Sequence, residues 1–168
     1  MRAVVIHETG GPEVLAYEET EAPEPGEGEV LIRVVAASMN PVDWKQRRGL
    51  PDDQLPAILG RDASGTVEAP RAGGFAEGDE VFGRPASGAY AELATAAADQ
   101  IAKKPAGISH EQAAALPVAG GTAWQALFDH GGLEEGQTVV ISGAAGGVGH
   151  LAVQFAKKVA GARVVGTG

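Results

Sequence analysis

The stretch Gly143-Ala144-Ala145-Gly146-Gly147-Val148-Gly149 constrains this chain more than any other part of it. Before it lies Gln137 to Ser142, whose Val139-Val140-Ile141 centre reads as a parallel strand covered on both faces. After it, Val148, Leu151, Ala152, Phe155 and Val159 recur at helical spacing, which predicts an amphipathic helix over residues 147–160 ended by Gly161. Arg163-Val164-Val165 then begins another strand. Strand, glycine loop, helix and strand make one βαβ unit, and a right-handed crossover sets its two strands parallel. In that setting a bare loop turns tightly and lets a diphosphate approach the N–H groups that open the helix. Gly146 provides the close approach, and Gly149 lets the helix pack against the strand. In strict spacing Ala144 occupies the first fingerprint position, so the string is A-x-G-x-x-G, weak alone and strengthened by its flanks. A tight turn that binds nothing is the plain alternative. It leaves glycines unexplained that each cost about 0.5–1 kcal/mol in conformational entropy.

One βαβ unit is only the start of a doubly wound sheet, so the expectation is a part of a longer protein. The preceding residues have a different texture. Arg2 to His7, Leu15 to Glu19, Glu29 to Ala37, Ser64 to Ala69, Glu80 to Gly83 and Ala89 to Thr95 read as short strands. Clusters such as Gly10-Gly11-Pro12 and Pro23-Glu24-Pro25-Gly26 separate them. The pattern suggests a small barrel or a partly open sandwich. Val30 to Val35 is nearly all apolar, as for a strand covered on both faces. Ser109 and Gln112 offer a capping box before an alanine-rich run. A further helix is expected from Gly120 to His130, burying Ala123, Trp124, Leu127 and Phe128. The chain is thus read as α/β, with residues 1–116 as one domain and 117–168 as the start of a second.

Composition removes several functions. The 168 residues contain no cysteine, which excludes disulfides, thiolate catalysis and cysteine-ligated zinc. A formal charge of −9 opposes attraction to nucleic acid or an anionic membrane. The opening apolar stretch turns polar at His7, too short for a membrane span, and a cytoplasmic protein is the default expectation.

Several motifs in one order carry a resemblance. They are Met1-Arg2-Ala3-Val4 with Gly10-Gly11-Pro12-Glu13-Val14-Leu15, then Asn40-Pro41-Val42-Asp43-Trp44-Lys45, then Gly60-Arg61-Asp62-Ala63-Ser64-Gly65. Gly78-Asp79-Glu80-Val81-Phe82-Gly83, Gly120-Gly121-Thr122-Ala123-Trp124 and the glycine loop follow. In these the chain resembles the medium-chain dehydrogenase/reductase superfamily, in its zinc-independent quinone/enone oxidoreductase (zeta-crystallin-like) branch. The resemblance implies a GroES-like β-barrel domain followed by a Rossmann NAD(P)-binding domain, here incomplete. It implies hydride transfer from NADPH, in preference to NADH, to a quinone or an α,β-unsaturated carbonyl. Zinc-dependent relatives carry a cysteine where Asn40 stands, a His-Glu pair where Arg61-Asp62 stand, and a four-cysteine lobe for which Arg84 to Ala89 leaves no room; no zinc is expected.

By the same resemblance, Lys45 lies near the nicotinamide, and an ammonium there can polarise a carbonyl or donate a proton. The alternative is a solvated basic turn with Arg47 and Arg48. Asn40 either bonds the nicotinamide amide or a substrate oxygen, or caps the turn beginning at Pro41. Asp43 is read as fixing that backbone, Arg61 and Asp62 receive no chemistry, and Trp44 and Trp124 are read as core or pocket wall. Thr122 either meets the cofactor or serves as a hydroxyl at a helix start. The expected cofactor loop is Gly143, Ala144, Ala145, Gly146, Gly147, Val148 and Gly149. A homo-oligomer or a complementary C-terminal segment is the expected partner, with a small quinone or enone as substrate. Two other readings stand beside this one: a non-catalytic, partner-assembled nucleotide-binding fragment, and an enoyl reductase module of a fatty-acid or polyketide-type synthase.

Overall fold

The computed structural model describes residues 1–168, and the chain divides into two units, Met1–Pro117 and Val118–Gly168. In the first unit, turn residues cut the chain into pieces whose apolar alternation makes them strands. They are β1 (Arg2–Ile6), β2 (Leu15–Glu19), β3 (Glu29–Ser38), β4 (Ala57–Ile58), β5 (Asp62–Pro70), β6 (Glu80–Gly83), β7 (Leu93–Ala97) and β8 (Ile101–Lys103). Five form an antiparallel sheet in the order β7-β3-β5-β6-β8, and three form a second in the order β2-β1-β4.

The segment 89–92 stitches the sheets together. Val4 N–H donates to the Tyr90 carbonyl at 2.8 Å, Glu92 N–H to Arg2 at 3.0 Å, and Val34 N–H to Glu92 at 2.9 Å. Ala89 to Thr95 is therefore not one strand. Its first part bridges to β1, and only Leu93–Ala97 runs along β3. Inside the curved sheet, Val30, Ile32, Val67, Val81 and Ala96 form a buried cluster, with Phe75 and Ile101 packed against it.

β3 corrects an expectation. It is buried on one face only, with Val30 and Ile32 inside, while Arg33 and Val35 point outward and Val35 is 55% exposed. An antiparallel strand in a barrel has one wet face, and apolar identity alone does not reveal which residues line it. The turn expected at Pro41 is instead a helix, α1 (Pro41–Gly49). A second, α2 (His110–Ala114), starts at the expected capping box: Ser109 Oγ accepts from Gln112 N–H at 3.2 Å, and Gln112 Oε1 accepts from Ser109 N–H at 3.0 Å.

Pro117, the last residue of the first unit, opens α3 (Pro117–Trp124), which continues in the second unit as a π-helical turn over Gln125–Asp129. It begins three residues before the expected start, and Gly120 lies inside it because that face packs near Leu151 and Phe155. Ala123 and Leu127 are buried as expected, whereas Trp124 is 43% exposed and rests on Phe128 and Phe155. Then follow β9 (Thr138–Ile141), α4 (Gly147–Lys158) and β10 (Arg163–Gly166). β9 and β10 pair in parallel from Arg163–Thr138 to Gly166–Ile141, as a βαβ crossover requires. α4 packs on this pair and buries Leu151, Ala152 and Ala156. Ile141 is buried with them, while Val140 is 68% exposed and Val159 55% exposed, contrary to the expected burial. A helix covers one face of a strand pair, and alternate side chains point to the other.

Candidate functional site

The glycine loop leaves β9 through Gly143, whose φ of +65° only glycine adopts readily. Thr167 ties it down: Ala144 N–H donates to the Thr167 carbonyl at 2.8 Å, and Thr167 N–H donates to Ile141 at 3.0 Å. Gly146 N–H closes back on the Gly143 carbonyl at 2.9 Å, and Gly146 becomes the N-cap of α4. The amides of Ala144 and Gly146 are thus already used within the loop.

The opening turn of α4 is different. Gly147, Val148 and Gly149 come first in the helix, where N–H groups have no partner in the preceding turn. No side chain caps them, because the N-cap is glycine. A Cβ on Gly149 would lie 2.1 Å from the Gly143 carbonyl oxygen and 2.8 Å from Ala144 Cα, so its bareness is required to seat the helix on the loop. A Cβ on Gly147 would meet nothing within 4 Å. Packing does not demand glycine there; its effect is to keep the helix mouth clear. Val148 is 38% exposed beside it, and the mouth is not plugged. These residues fit a diphosphate, which would find a positive helix end and a surface of bare backbone.

In the first unit, Asn40 ends β3's outgoing segment and serves as N-cap of α1, with Pro41 at the first helical position. Its backbone N–H donates to Asp43 Oδ2 at 2.7 Å. Its side-chain Nδ2 donates to Asp62 Oδ2 at 2.9 Å and to Ser38 Oγ at 3.1 Å, while the Ser38 hydroxyl donates to the same Asp62 oxygen at 2.8 Å. A carboxylate only accepts, so Nδ2 must face Asp62 and both its hydrogens are used. What Asn40 can still offer is Oδ1, an acceptor. It cannot donate to a substrate oxygen.

Asp43 is buried, and Oδ2 also accepts from the Tyr90 hydroxyl at 2.9 Å. Burial pushes the Tyr90 phenol far above its ordinary value of 10, and the hydrogen bond to Asp43 and the negative charges of Asp43 and Asp62 push the same way. Asp43 therefore positions Asn40, as expected, and Tyr90 holds Asp43, a link no sequence spacing announces. Asn40, Met39, Trp44, Leu15, Leu59 and Tyr90 surround an apolar cavity of about 350 Å³.

Lys45 lies five residues beyond Asn40, roughly 140° around the helix. It is exposed, with Nζ 5.8 Å from the Trp44 ring centroid. Within its unit Lys45 has the exposure of a solvated turn residue, the alternative weighed beside a place near the nicotinamide. Thr122 does not start a helix; it sits inside α3, where its hydroxyl donates to the Val118 carbonyl four residues back at 2.6 Å.

One cluster went unread in the sequence. Ser64 Oγ lies 2.8 Å from His110 Nδ1, and His110 Nε2 lies 3.1 Å from Glu80 Oε1. The order serine, histidine, carboxylate invites comparison with a hydrolase, but the bonding runs the wrong way. Ser64 is buried and gives its one hydrogen to the Val81 carbonyl at 2.9 Å, so His110 donates to serine instead of accepting from it. The group pins α2 to the barrel. No three His, Cys, Asp or Glu side chains converge in a way that could hold a metal ion.

Residues 26–106 match the alcohol dehydrogenase GroES-like domain. The chain is 38% identical over 180 residues to the 2-methylene-furan-3-one reductase of Solanum lycopersicum, covering 98% of this chain and 46% of that protein. Its structure is similar to the quinone oxidoreductase of Coxiella burnetii, with 39% identity and a TM-score of 0.91 over 100% of this chain and 56% of that one. The chain belongs to the medium-chain dehydrogenase/reductase superfamily. Another superfamily structure, a mycobacterial protein complexed with NADPH, is 38% identical with a TM-score of 0.88, covering 99% of this chain and 52% of that one. This superfamily member spans about half the length of the curated relatives it matches. No helix in it is long and apolar enough to cross a membrane.

Proposed function

We propose that this chain contributes the barrel and the opening of the nucleotide-binding domain to a zinc-independent, cytoplasmic NADPH-dependent reductase of quinones or α,β-unsaturated carbonyls. One observation carries the reading: the uncapped N-terminus of α4 behind Gly146 and Gly147, with Gly149 seated on the loop. Similarity to a furanone reductase, a quinone oxidoreductase and a structure holding NADPH supports the chemistry and the cofactor. The β9–β10 edge would be completed by a further segment or a second copy.

Gly147, Val148 and Gly149 would hold the pyrophosphate with backbone N–H groups, on a loop shaped by Gly143, Ala144, Ala145 and Gly146. When bound, the nicotinamide supplies the hydride, and the protein supplies orientation and charge stabilisation. Asn40 would receive an N–H of the carboxamide at Oδ1, since its donors are committed to Asp62 and Ser38. Lys45 would donate toward the substrate oxygen that gains negative charge, and Thr122 would line the cofactor path. Metal-free chemistry fits the donor set. An amide and a guanidinium stand where zinc relatives carry cysteine and histidine, and Asp62 is engaged by Ser38 and Asn40.

The variant Gly146→Asp tests this directly. Aspartate is a preferred N-cap and the backbone at Gly146 is extended with φ −76°, so α4 gains a cap once the Gly143 carbonyl, 3.3 Å from the added Cβ, gives by a few tenths of an ångström. The same carboxylate repels and displaces a diphosphate. NADPH fluorescence titration should show affinity falling at least about tenfold while the thermal midpoint holds or rises. Unchanged affinity would refute the pyrophosphate site.

A further inference from the structure

The barrel unit holds a second cleft, of about 290 Å³, between the end of α1 and the segments 57–61 and 85–88. Its existence depends on two glycines. A Cβ on Gly88 would lie 2.2 Å from the Ile58 carbonyl oxygen, and one on Gly60 2.9 Å from the Ala89 Cβ, so the segments cross at backbone distance. Ala89 N–H to Gly60 at 3.1 Å and Tyr90 N–H to Leu59 at 3.0 Å lock the crossing. Arg61, Gln46 and Gln54 provide the polar lining, with Leu50, Pro85 and Ala86 among the apolar walls.

Arg61 is the one charged residue in that lining. Neighbouring side chains point to opposite faces in extended backbone, so Asp62 turns inward to Ser38 and Asn40 while Arg61 turns to the cleft. No carboxylate lies within ion-pair distance of its guanidinium; its one hydrogen bond is Nε to Gln46 Oε1 at 3.4 Å. Four of its five N–H donors remain for a ligand. A half-buried, unpaired guanidinium in a chain of net charge −9, facing a cleft without acidic groups, is complementary to an anion.

We propose that Arg61 determines substrate specificity and that this cleft takes the carboxylate of an enone or quinone bearing one. The substrate class rests on the reductase reading; the anion site does not. Two arms separate them. In the binding arm, without cofactor, the protein is titrated with levulinate and with methyl levulinate, which cannot be reduced as enones. The acid should bind about tenfold more tightly than the ester, a difference that Arg61→Met abolishes and Arg61→Lys partly restores. Equal binding of acid and ester would overturn the proposal.

In the kinetic arm, run on the longer protein that completes the nucleotide-binding domain, trans-4-oxo-2-pentenoate and its methyl ester are compared with NADPH. Arg61→Met should lower kcat/KM for the acid about tenfold and leave the ester within twofold. An equal fall for both would make Arg61 merely structural and overturn the specificity role. Selective levulinate binding without NADPH oxidation by any substrate would uphold the anion site and sink the reductase reading.

Discussion

Removing one oxygen atom, in Tyr90→Phe, probes the support beneath Asn40. Asp43 is 5% exposed, and its Oδ2 has two donors, Asn40 N–H at 2.7 Å and Tyr90 O–H at 2.9 Å. Its Oδ1 is buried with no hydrogen-bond partner. The variant keeps the ring and its packing, and leaves a buried carboxylate with a single donor. A hydrogen bond to a charged group contributes roughly 1.5–3 kcal/mol. Tyr90 is only half-buried, which favours the lower end, about 1.5 kcal/mol. For a chain of this size that lowers the thermal midpoint by about 3–6 °C.

Asp43→Asn supplies the control. With the charge gone, the same Tyr90→Phe change should cost about half as much, because neutral hydrogen bonds are about half as strong. Urea unfolding of the wild type, both single variants and the double variant measures the coupling. A cost below about 0.5 kcal/mol, or an equal cost in both backgrounds, would refute the account. Alkaline titration gives a second readout. The phenol's folded-state pKa is raised, so its contribution is fully present below the unfolded value near 10 and is lost as pH rises beyond it. Tyr90→Phe should lack that part of the alkaline loss.

Acid behaviour should depend on Glu80. Its carboxyl is held below the ordinary 4.5, first by the hydrogen bond from Lys104 and further by the Lys104 charge and by His110. The stabilisation is present above 4.5 and is lost as pH falls through the lower folded-state value. Glu80→Gln should lower the thermal midpoint at pH 7 and flatten its decline between pH 5 and 3; an unchanged profile would remove Glu80 from the α2 clamp. For Lys45→Ala in the complete enzyme, kcat for a quinone or enone should fall more than KM rises, because the donor acts most strongly on developing charge. Unchanged kcat would return Lys45 to a solvated surface role.

Much of this architecture is legible in local pattern. The parallel pair β9–β10, the helix between them and the Ser109–Gln112 box follow from hydrophobic period and cap chemistry, which act within a few residues. α1 carries its own signal, Asn40-Pro41-Val42-Asp43, a capping pattern with proline at the first helical position, which reading Pro41 as a turn obscures. Burial is less legible than secondary structure. Val35, Val140, Val159 and Trp124 are apolar and exposed, because a side chain's environment depends on what covers that face and not on its own hydrophobicity.

Glycine spacing and helical period are properties of neighbouring residues, and they suffice to set the βαβ unit and the bare opening of α4. How Asn40, Asp62, Ser38, Asp43 and Tyr90 join, and that Arg61 faces a cleft without a carboxylate partner, follows from the packing of segments distant along the chain. Those contacts link positions up to 52 residues apart. They arise when β3, β5 and the segment after Gly88 close the barrel, and no local spacing specifies that closure.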